Sequence, residues 1–408
     1  MIASIIKKHE NYRLSSLNLI ASENRISADA LNALASDLAG RYGDKWYGGS
    51  LHANEIFLEV ERLAKKLFHA KYAFITPISG NICDLAVLFS FTKCGDKVAG
   101  IPKEEGGYPF GYEKFEREFI SLPARNYEIK VKEALDVIEK EKPLLTLLGA
   151  SVFPFPHPVK ELKKAREYGT LAYDASHVLG LIAGGKFQQP LQEGADVMTG
   201  STHKTLPGPQ GGAILAAKTR EEDDSMKYLD WGVFPGVTSS YHLHHVAAKA
   251  IAFAEHLTFG KEYAEQIVKN AKKLAEALYN NGFDVLGKDY GFTESHQVLF
   301  KVGKEKGKWA AEELEKAGII ANMNMVPGDE HPMRPSGIRL GVQELTRLGM
   351  REGEMEEVAL FFKRLLIDGE EAGRVRKDVV EFKKNYRKIC YCFHEGEDPY
   401  EFIELIKI

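Results

Sequence analysis

The sequence has few cysteines and no long apolar run. Only four cysteines occur among 408 residues, and the CYC pair is too tight for a CxxC metal or redox motif. We therefore expect reduced thiols rather than disulfides. No apolar stretch approaches the length of about 20 residues that spans a bilayer. The opening MIASIIKKHENYRL lacks the apolar core of a signal peptide. We expect a cytoplasmic protein that does not contact membranes.

The chain also lacks a large charge of either sign. Its formal net charge is −4, and short basic clusters such as KKNYRK lie among acidic residues. Such a balance gives no electrostatic reason to expect nucleic acid as a partner. Hydrophobic residues make up 44% of the sequence, which is typical of a globular protein with a large core.

Short apolar runs alternate with helical patterns through most of the chain. GDKVAGIP, GTLAYDASH, ADVMTGST and GGAILAAK read as strands, and VKEALDVIEKEK and PVKELKKAREYG as helices. This alternation predicts an α/β fold with a mainly parallel mixed sheet covered by helices. We predict a mostly helical N-terminal arm over residues 1–40 and a large α/β domain over 41–250. Residues 251–408 are predicted to form a connecting helix and a smaller α+β domain.

Polar residues follow two of the predicted strands. Asp174 ends one strand and is followed by His177, and Ser201, His203 and Lys204 follow the next. Ligands of open α/β sheets bind at the carboxyl ends of strands. A lysine in this position can be desolvated and can form a Schiff base with an aldehyde cofactor. The alternatives are a helix-capping aspartate and a surface lysine.

Two further elements suit anionic groups. Ser79, Gly80 and Asn81 lie where a strand meets a helix, and backbone N–H groups at such a junction bind phosphate. Arg339 lies inside the apolar strand SGIRLG, where a substrate carboxylate is a suitable partner. A phosphate turn, an acid, a Schiff-base lysine and a carboxylate clamp together indicate a pyridoxal 5′-phosphate site.

Several blocks then carry a resemblance to one family. They include LNLIASEN, PISGN, YDASHVLGLIAGG, STHKTLPGPQGG, VFPGVTSSYHLHH and PSGIRLGVQELTRLGM, and they extend over nearly the whole chain. The sequence resembles serine hydroxymethyltransferase, and most closely its archaeal-type members. This resemblance implies the fold of fold-type I pyridoxal phosphate transferases and a homodimer with shared active sites.

The resemblance also implies roles for individual residues. Lys204 matches the aldimine lysine, Asp174 the partner of the pyridine nitrogen, and His177 and His203 the histidines beside the ring and the lysine. Ser79 and Gly80 match the phosphate turn. The remaining matches are Ser151 in the cofactor pocket, Ser22 and Arg339 at the substrate carboxylate, Asn324 near the one-carbon carrier, and the active-site tyrosines Tyr42 and Tyr47. Outside the resemblance, we expect Asn81 and the hydroxyl of Ser201 to contact the cofactor as well.

This sequence departs from the family pattern in several places. Asp44 stands in a shortened RYGDKWYGG where the family has a catalytic glutamate, and Tyr108 replaces the histidine that stacks on the cofactor ring. Gln210 stands where many members have arginine. Ser239 and Ser240 replace a glycine pair that reaches the phosphate across the dimer interface.

Three functions remain open at this point. The first is hydroxymethyl transfer between serine and glycine with tetrahydrofolate or tetrahydromethanopterin as carrier. The second is aldol cleavage of a β-hydroxy amino acid without a pterin, which the shortened loop and Tyr108 motivate. The third is a catalytically silent cofactor-binding paralogue. His242, His244 and His245 in HLHH resemble a metal cluster, but only two of them share a helix face, so we expect no metal site.

Overall fold

The computed structural model describes residues 2–43 and 46–396. Its helices are α1 Ile2–Leu14, α2 Ala28–Leu34, α3 Leu51–Phe68, α4 Gly80–Phe91, α5 Val131–Glu141, α6 Leu179–Ala183, α7 Pro190–Glu193, α8 Met226–Trp231, α9 Leu243–Asn280, α10 Gly307–Lys316, α11 Gln343–Arg347, α12 Glu352–Leu366 and α13 Ala372–Lys383. Shorter 3₁₀ segments include Asp37–Gly40, Lys103–Glu105, Tyr112–Phe115, Glu161–Glu167 and Lys288–Tyr290.

The strands follow the same chain order. They are β1 Leu17–Asn18, β2 Tyr72–Phe74, β3 Lys97–Gly100, β4 Glu118–Ser121, β5 Ala124–Arg125, β6 Glu128–Ile129, β7 Leu145–Leu148, β8 Thr170–Asp174, β9 Val197–Ser201, β10 Gly212–Ala216, β11 Asp284–Val285, β12 Gln297–Lys301, β13 Ile319–Ile320, β14 Asn322–Asn324 and β15 Gly337–Gly341. The chain forms two compact units, residues 29–261 and residues 1–28 with 262–408. The domain limits drawn from the sequence stay a prediction.

The unit of residues 29–261 is built on a seven-stranded sheet. Its strand order is β2-β10-β9-β8-β7-β3-β4, and β10 pairs antiparallel with both neighbours. The pairs from β9 to β4 are all parallel. Strands β7, β9 and β10 are buried along their whole length because helices cover the sheet. The predicted mainly parallel mixed sheet is therefore confirmed.

The core of this unit is apolar and lies against one face of the sheet. Helix α4 contributes Ala86, Val87 and Leu88, which pack with sheet residues such as Val98 and Ile214. Helix α4 is apolar nearly all round, as expected of a helix buried between the sheet and α8. Its buried position fixes the helix start, where Ser79 and Gly80 lie, against the ends of β8 and β9.

The other unit, residues 1–28 with 262–408, is an α+β structure. Its four-stranded antiparallel sheet has the order β11-β12-β15-β14. Helices α10, α12 and α13 pack against one another, and α10 also contacts β14 and β15. The N-terminal strand β1 joins this unit by pairing in parallel with β13. Burial of the apolar residues in β15 places Arg339 inside the unit.

Two segments differ from the sequence-based expectation. The segment Glu161–Glu167, predicted as an α-helix, is a 3₁₀ helix. Its two buried residues, Leu162 and Ala165, are three apart, which matches the 3₁₀ repeat of three residues per turn. The N-terminal stretch predicted as mostly helical is interrupted after α1, because Leu17 and Asn18 bond to β13 instead.

Two further expectations from the sequence concern membrane-spanning helices and disulfides. Among residues 2–43 and 46–396, no helix combines the length and apolar character needed to cross a bilayer. The four cysteines all lie in this part, and each is a free thiol.

Candidate active site

The carboxyl ends of two parallel strands bring Asp174 and the segment of Lys204 to one edge of the sheet. Asp174 ends β8, and Ser201 ends the neighbouring β9 three residues before Lys204. Lys204 is half-buried, as is Asp174. Gly149, directly after β7, packs so closely that an added Cβ would lie 2.2 Å from the carbonyl oxygen of Asp174.

The loop that carries Lys204 is closed on itself by hydrogen bonds. The hydroxyl of Thr202 donates to the carbonyl of Pro209 at 2.7 Å, and its backbone N–H donates to Gly211 at 3.0 Å. The backbone N–H of Gly208 in turn donates to the carbonyl of Thr202 at 2.9 Å. The glycine- and proline-rich turn therefore fixes the segment in which Lys204 lies, since its backbone groups are bonded within the loop.

Thr205, next to Lys204, ties this loop to the turn after β8. Its hydroxyl donates to the carbonyl of His177 at 2.8 Å and accepts from the N–H of Gly180 at 3.0 Å. His177 is buried. The lysine loop and the segment that contains Asp174 and His177 therefore form one bonded assembly.

A polar notch lies at the start of α4. Ser79 caps the helix, and its side chain accepts from the N–H of Ile82 at 3.2 Å. A Cβ added at Gly80 would lie 2.4 Å from the hydroxyl of Ser201 and 2.6 Å from that of Ser176. The N–H of Ser201 donates to Ser176 at 3.1 Å. Hydroxyls and a helix N-terminus thus surround a space that only glycine leaves open.

Asp174 and Tyr108 line one small cavity. The other lining residues include Asp84, Tyr112 and Gly149. The carboxylate of Asp174 accepts from the N–H of Ser176 at 2.8 Å. The exposed ring of Tyr108 is held by its hydroxyl, which donates to Asn81 at 3.2 Å. The tyrosine at the family's histidine position is therefore bonded to the start of α4.

Ser151 and His203 complete the predicted residues around the lysine. The N–H of Ser151 donates to the carbonyl of Gly106 at 2.8 Å, which connects the end of β7 with the segment before Tyr108. Burial, and to a smaller extent the charge of Lys204, lower the pKa of His203 to about 4. His203 is consequently neutral near pH 7. Among the described residues, no group bonds its buried Nδ1.

The predicted carboxylate-binding residues lie in the other unit. Arg339 is buried in β15, and its guanidinium donates to the amide oxygen of Asn322 at 3.3 Å. Burial lowers the pKa of Arg339 to about 10. The segment before Ser22 packs on the same strand, since the N–H of Gly341 donates to the carbonyl of Leu19 at 2.8 Å. Asn324 is half-buried in β14, next to β15.

The remaining predicted residues are exposed. Tyr42 and Tyr47 stack on each other, with ring centroids 4.5 Å apart. Both rings are about half exposed, at 51% and 50%. Ser239 and Ser240 are also exposed. Asp44 lies outside the residues that the structure describes.

Sequence reasoning did not identify Lys249 of α9. Its ammonium group donates to the carbonyl oxygens of Ile75, Pro77 and Gly212 at 2.8, 3.0 and 2.9 Å. The side chain is buried, and burial lowers its pKa to about 8. Lys249 therefore connects the segment before Ser79 with the segment after the Lys204 loop by hydrogen bonds. In the sequence it lies in a helical pattern and resembles any surface lysine.

The histidines of HLHH lie at the start of α9. The rings of His242 and His245 have centroids 5.4 Å apart, and Nδ1 of His245 contacts the carbonyl of Gln210 at 2.6 Å. Among residues 2–43 and 46–396, no group of three or more histidine, cysteine or acidic side chains could hold a metal ion. These histidines serve packing and the bond to the loop of Gln210.

Known proteins are similar to this chain over nearly its whole length. The serine hydroxymethyltransferase family profile matches residues 1–362. Serine hydroxymethyltransferases from Pyrococcus furiosus and Pyrococcus horikoshii are each 47% identical to this chain, with 97% of both chains covered. The enzyme of Methanobrevibacter smithii is 44% identical, with 98% of this chain and 97% of that one covered.

A solved structure is also similar over nearly the whole chain. It is that of an L-threonine transaldolase from Pseudomonas fluorescens in its internal aldimine state, with 31% identity and a TM-score of 0.90. The match covers 98% of this chain and 93% of the transaldolase. The fold is therefore that of fold-type I pyridoxal phosphate enzymes. With the profile match and the near-full-length relatives, the chain belongs to the serine hydroxymethyltransferase family.

Proposed function

We propose that this chain interconverts serine and glycine, with a reduced pterin as the carrier of the one-carbon unit. The carrier would be tetrahydrofolate or tetrahydromethanopterin. The observation that carries the proposal is the bonded assembly of the Lys204 loop, the Asp174 turn and the notch at Gly80, in a chain 47% identical to named serine hydroxymethyltransferases. The chain is accordingly a pyridoxal phosphate-dependent transferase.

The residues present fit pyridoxal 5′-phosphate. The notch at Gly80 presents the hydroxyls of Ser176 and Ser201 and the start of a 12-residue helix, a donor set that suits a phosphate dianion. Asp174, one bonded turn away from this notch, supplies a carboxylate for the ring nitrogen. When bound, the cofactor supplies an electron sink for the negative charge that develops on the α-carbon of the amino acid.

Each residue of the larger unit then has a defined task. Lys204 would hold the cofactor through its ε-nitrogen. Asp174 would keep a proton on the ring nitrogen. Tyr108, whose hydroxyl donates to Asn81, would offer its ring as a stacking surface for the cofactor. Neutral His203 would lie beside the lysine without adding positive charge. Buried His177 would lie beside the ring.

Substrate recognition falls to residues of the smaller unit. Arg339 would bind the substrate carboxylate, since a buried guanidinium is stabilised by an anion. Ser22 would add a second contact to this carboxylate, and Asn324 would contact the carrier. Asp44, with Tyr42 and Tyr47, would handle protons at the hydroxymethyl group. An aspartate is one methylene shorter than a glutamate, so the rate depends on how closely its carboxylate approaches the hydroxymethyl group.

We further propose a cytoplasmic homodimer that works in one-carbon metabolism. Several aromatic side chains of the larger unit are exposed in the single chain. Trp46 is 84% exposed, Trp231 70% and Phe234 47%. Such apolar surface favours an interface with a second copy. Ser239 and Ser240 lie shortly after Phe234 and would reach the phosphate of the partner's site.

A second candidate function is aldol cleavage or transfer on a β-hydroxy amino acid without a pterin. The similarity to the L-threonine transaldolase structure and the tyrosine at position 108 favour it. In this alternative the same lysine, aspartate and arginine keep their tasks, and only the acceptor of the carbon unit differs.

The deciding experiment measures glycine formation from serine by the purified holoenzyme with tetrahydrofolate, with tetrahydromethanopterin and with neither. Carrier-dependent turnover of serine is the expected result. Turnover of threonine-like substrates that no carrier accelerates would instead establish the second function. A protein that binds the cofactor but turns over neither substrate would be a silent paralogue, and the proposal would be wrong.

A further inference from the structure

A second acid, Asp84, is buried behind the site. It lies in the second turn of α4, and its side chain is only 3% exposed. The hydroxyl of Thr199 in β9 donates to its Oδ1 at 2.6 Å. Thr199 is itself fully buried. The mechanism proposed above gives Asp84 no task, yet a buried carboxyl is costly to retain without one.

Asp84 lines the same cavity as Asp174. The titratable groups that face it come from each element around it: Asp174 from β8, Lys204 after β9, and Tyr108 and Tyr112 from the segment after β3. Cys83 is its neighbour on α4. Negative charge on Asp84 and Asp174 also contributes to the raised pKa values of Tyr108 and Tyr112, after burial as the larger cause.

Two carboxylates in one buried cavity cannot both ionise cheaply. Burial raises the pKa of Asp84 well above its usual value, and the charge of Asp174 raises it further. The Thr199 hydrogen bond and the charge of Lys204 act in the opposite direction but are smaller causes. Burial and the neighbouring negative charge therefore both favour the protonated form of Asp84.

We propose that Asp84 and Asp174 form an acid pair with a single negative charge, in which Asp84 is a positioning residue that holds the proton. Asp174 then presents the charge to the ring nitrogen of the cofactor. The inference rests on the proposed function, since that ring nitrogen belongs to pyridoxal phosphate. The pair also allows one acid to replace the other. If Asp174 loses its charge, Asp84 no longer has a like-charged neighbour and ionises in its place.

A double-mutant cycle tests whether Asp84 supplies the negative charge when Asp174 cannot. The variants are Asp84→Asn, Asp174→Asn and the double variant, and the readout is the dissociation constant of pyridoxal phosphate from titration of each apoprotein. Asparagine keeps an oxygen that can accept from Thr199. We expect Asp84→Asn to weaken binding about threefold and Asp174→Asn at least about tenfold. The double variant should bind at least about tenfold more weakly than Asp174→Asn, because no carboxylate remains.

A second readout uses only the Asp84→Asn variant and does not depend on the folding of the double variant. The ¹⁵N chemical shift of ring-labelled pyridoxal phosphate reports whether the ring nitrogen is protonated. In the unmodified protein, a charge on Asp84 would add negative charge beside the ring and help to retain the proton of the ring nitrogen. We expect the midpoint for loss of that proton to fall by about one pH unit in Asp84→Asn.

The matched control is Asp136→Asn, the same chemical change at an exposed position of α5. It should leave both readouts unchanged. Equal affinities of Asp174→Asn and the double variant, or equal ¹⁵N midpoints with and without Asp84, would overturn the acid pair while the proposed function stands. Absence of pyridoxal phosphate binding by the unmodified protein would overturn both.

Discussion

The ammonium group of Lys249 donates to the carbonyl oxygen of Pro77, two residues before Ser79, at 3.0 Å. Its other two bonds go to Ile75 and Gly212, so three backbone carbonyls surround one buried cation. A lysine ammonium has three N–H donors, and all three are used. The segment that leads to the phosphate turn is thus held by a side chain from a distant helix.

Replacing Lys249 by methionine should destabilise the protein. The change removes three hydrogen bonds inside the fold, and we expect the free energy of unfolding to fall by about 3 kcal/mol. Urea denaturation followed by circular dichroism measures this change. Lys272→Met, at an exposed position of the same helix, is the control and should change stability by less than about 0.5 kcal/mol.

Gly211 offers an independent check of the same contact. A Cβ at this position would lie 2.3 Å from Cε of Lys249 and 2.8 Å from its Nζ. Gly211→Ala should therefore displace the ammonium and destabilise the protein in the same direction. Full stability of both variants would show that Lys249 does not hold these segments.

Gly80→Ala should weaken cofactor binding by at least about tenfold, because the added methyl group fills the space between Ser176 and Ser201. Equilibrium titration of the apoprotein with pyridoxal phosphate measures the effect. Gly353→Ala is the control: its Cβ would meet nothing within 4 Å, and it lies in the first turn of α12. The control should bind the cofactor normally, and unchanged binding by Gly80→Ala would place the phosphate elsewhere.

Arg339→Met should lower the activity without lowering the stability of the protein. Arg339 is buried, so its charge is desolvated in the folded protein, and an apolar side chain of similar length removes that cost. We expect no loss in the free energy of unfolding, while kcat/KM for serine falls at least about 100-fold because the substrate carboxylate loses its partner. Kinetics and urea denaturation on the same preparation measure both.

Asn322→Ala is the companion to that variant. It removes the amide that accepts from Arg339 at 3.3 Å but keeps the guanidinium. Its kcat/KM should fall much less than that of Arg339→Met. Normal serine turnover by Arg339→Met would show that the arginine does not bind the substrate.

The lowered pKa of His157 should contribute to the pH dependence of the free energy of unfolding. Burial lowers its pKa from 6.5 to about 3, so the unfolded chain binds more protons between these pH values. The free energy of unfolding should therefore fall as the pH drops below 6.5, by at most about 1.4 kcal/mol per pH unit from this group. His157 makes no contribution to the slope above about pH 7.

His157→Asn tests this slope. The asparagine oxygen can replace Nδ1, which accepts from the N–H of Gly149 at 3.1 Å, but it does not titrate. Urea denaturation between pH 4 and 8 should give a flatter profile for the variant. Identical profiles would assign the acid sensitivity to other groups.

Much of the site could be predicted from the sequence because its residues are close in the chain to strand ends. Asp174 and Lys204 each follow an apolar run, and the parallel order of β8 and β9 brings them together. Ser79 and Gly80 were identified for the same reason, since the start of a helix after a strand is visible in the pattern.

Other residues could not be predicted because their role depends on contacts far apart in sequence. Lys249 is separated from Ile75 by 174 residues, and Asp84 from Thr199 by 115. In the sequence, a lysine or aspartate in a helix has the pattern of a solvated residue. Ser176 was overlooked between Asp174 and His177, although its hydroxyl lines the notch at Gly80.

The notch at Gly80 has a practical consequence for work with the purified enzyme. Its hydroxyls and helix N-terminus would not distinguish an ester from a free oxyanion, so inorganic phosphate or sulfate in a buffer should compete with the cofactor phosphate proposed to bind there. The apparent dissociation constant of the cofactor should then rise linearly with the concentration of that oxyanion. Preparations kept in a buffer free of such oxyanions, and of primary amines that would form imines with the aldehyde, should retain the vitamin more completely.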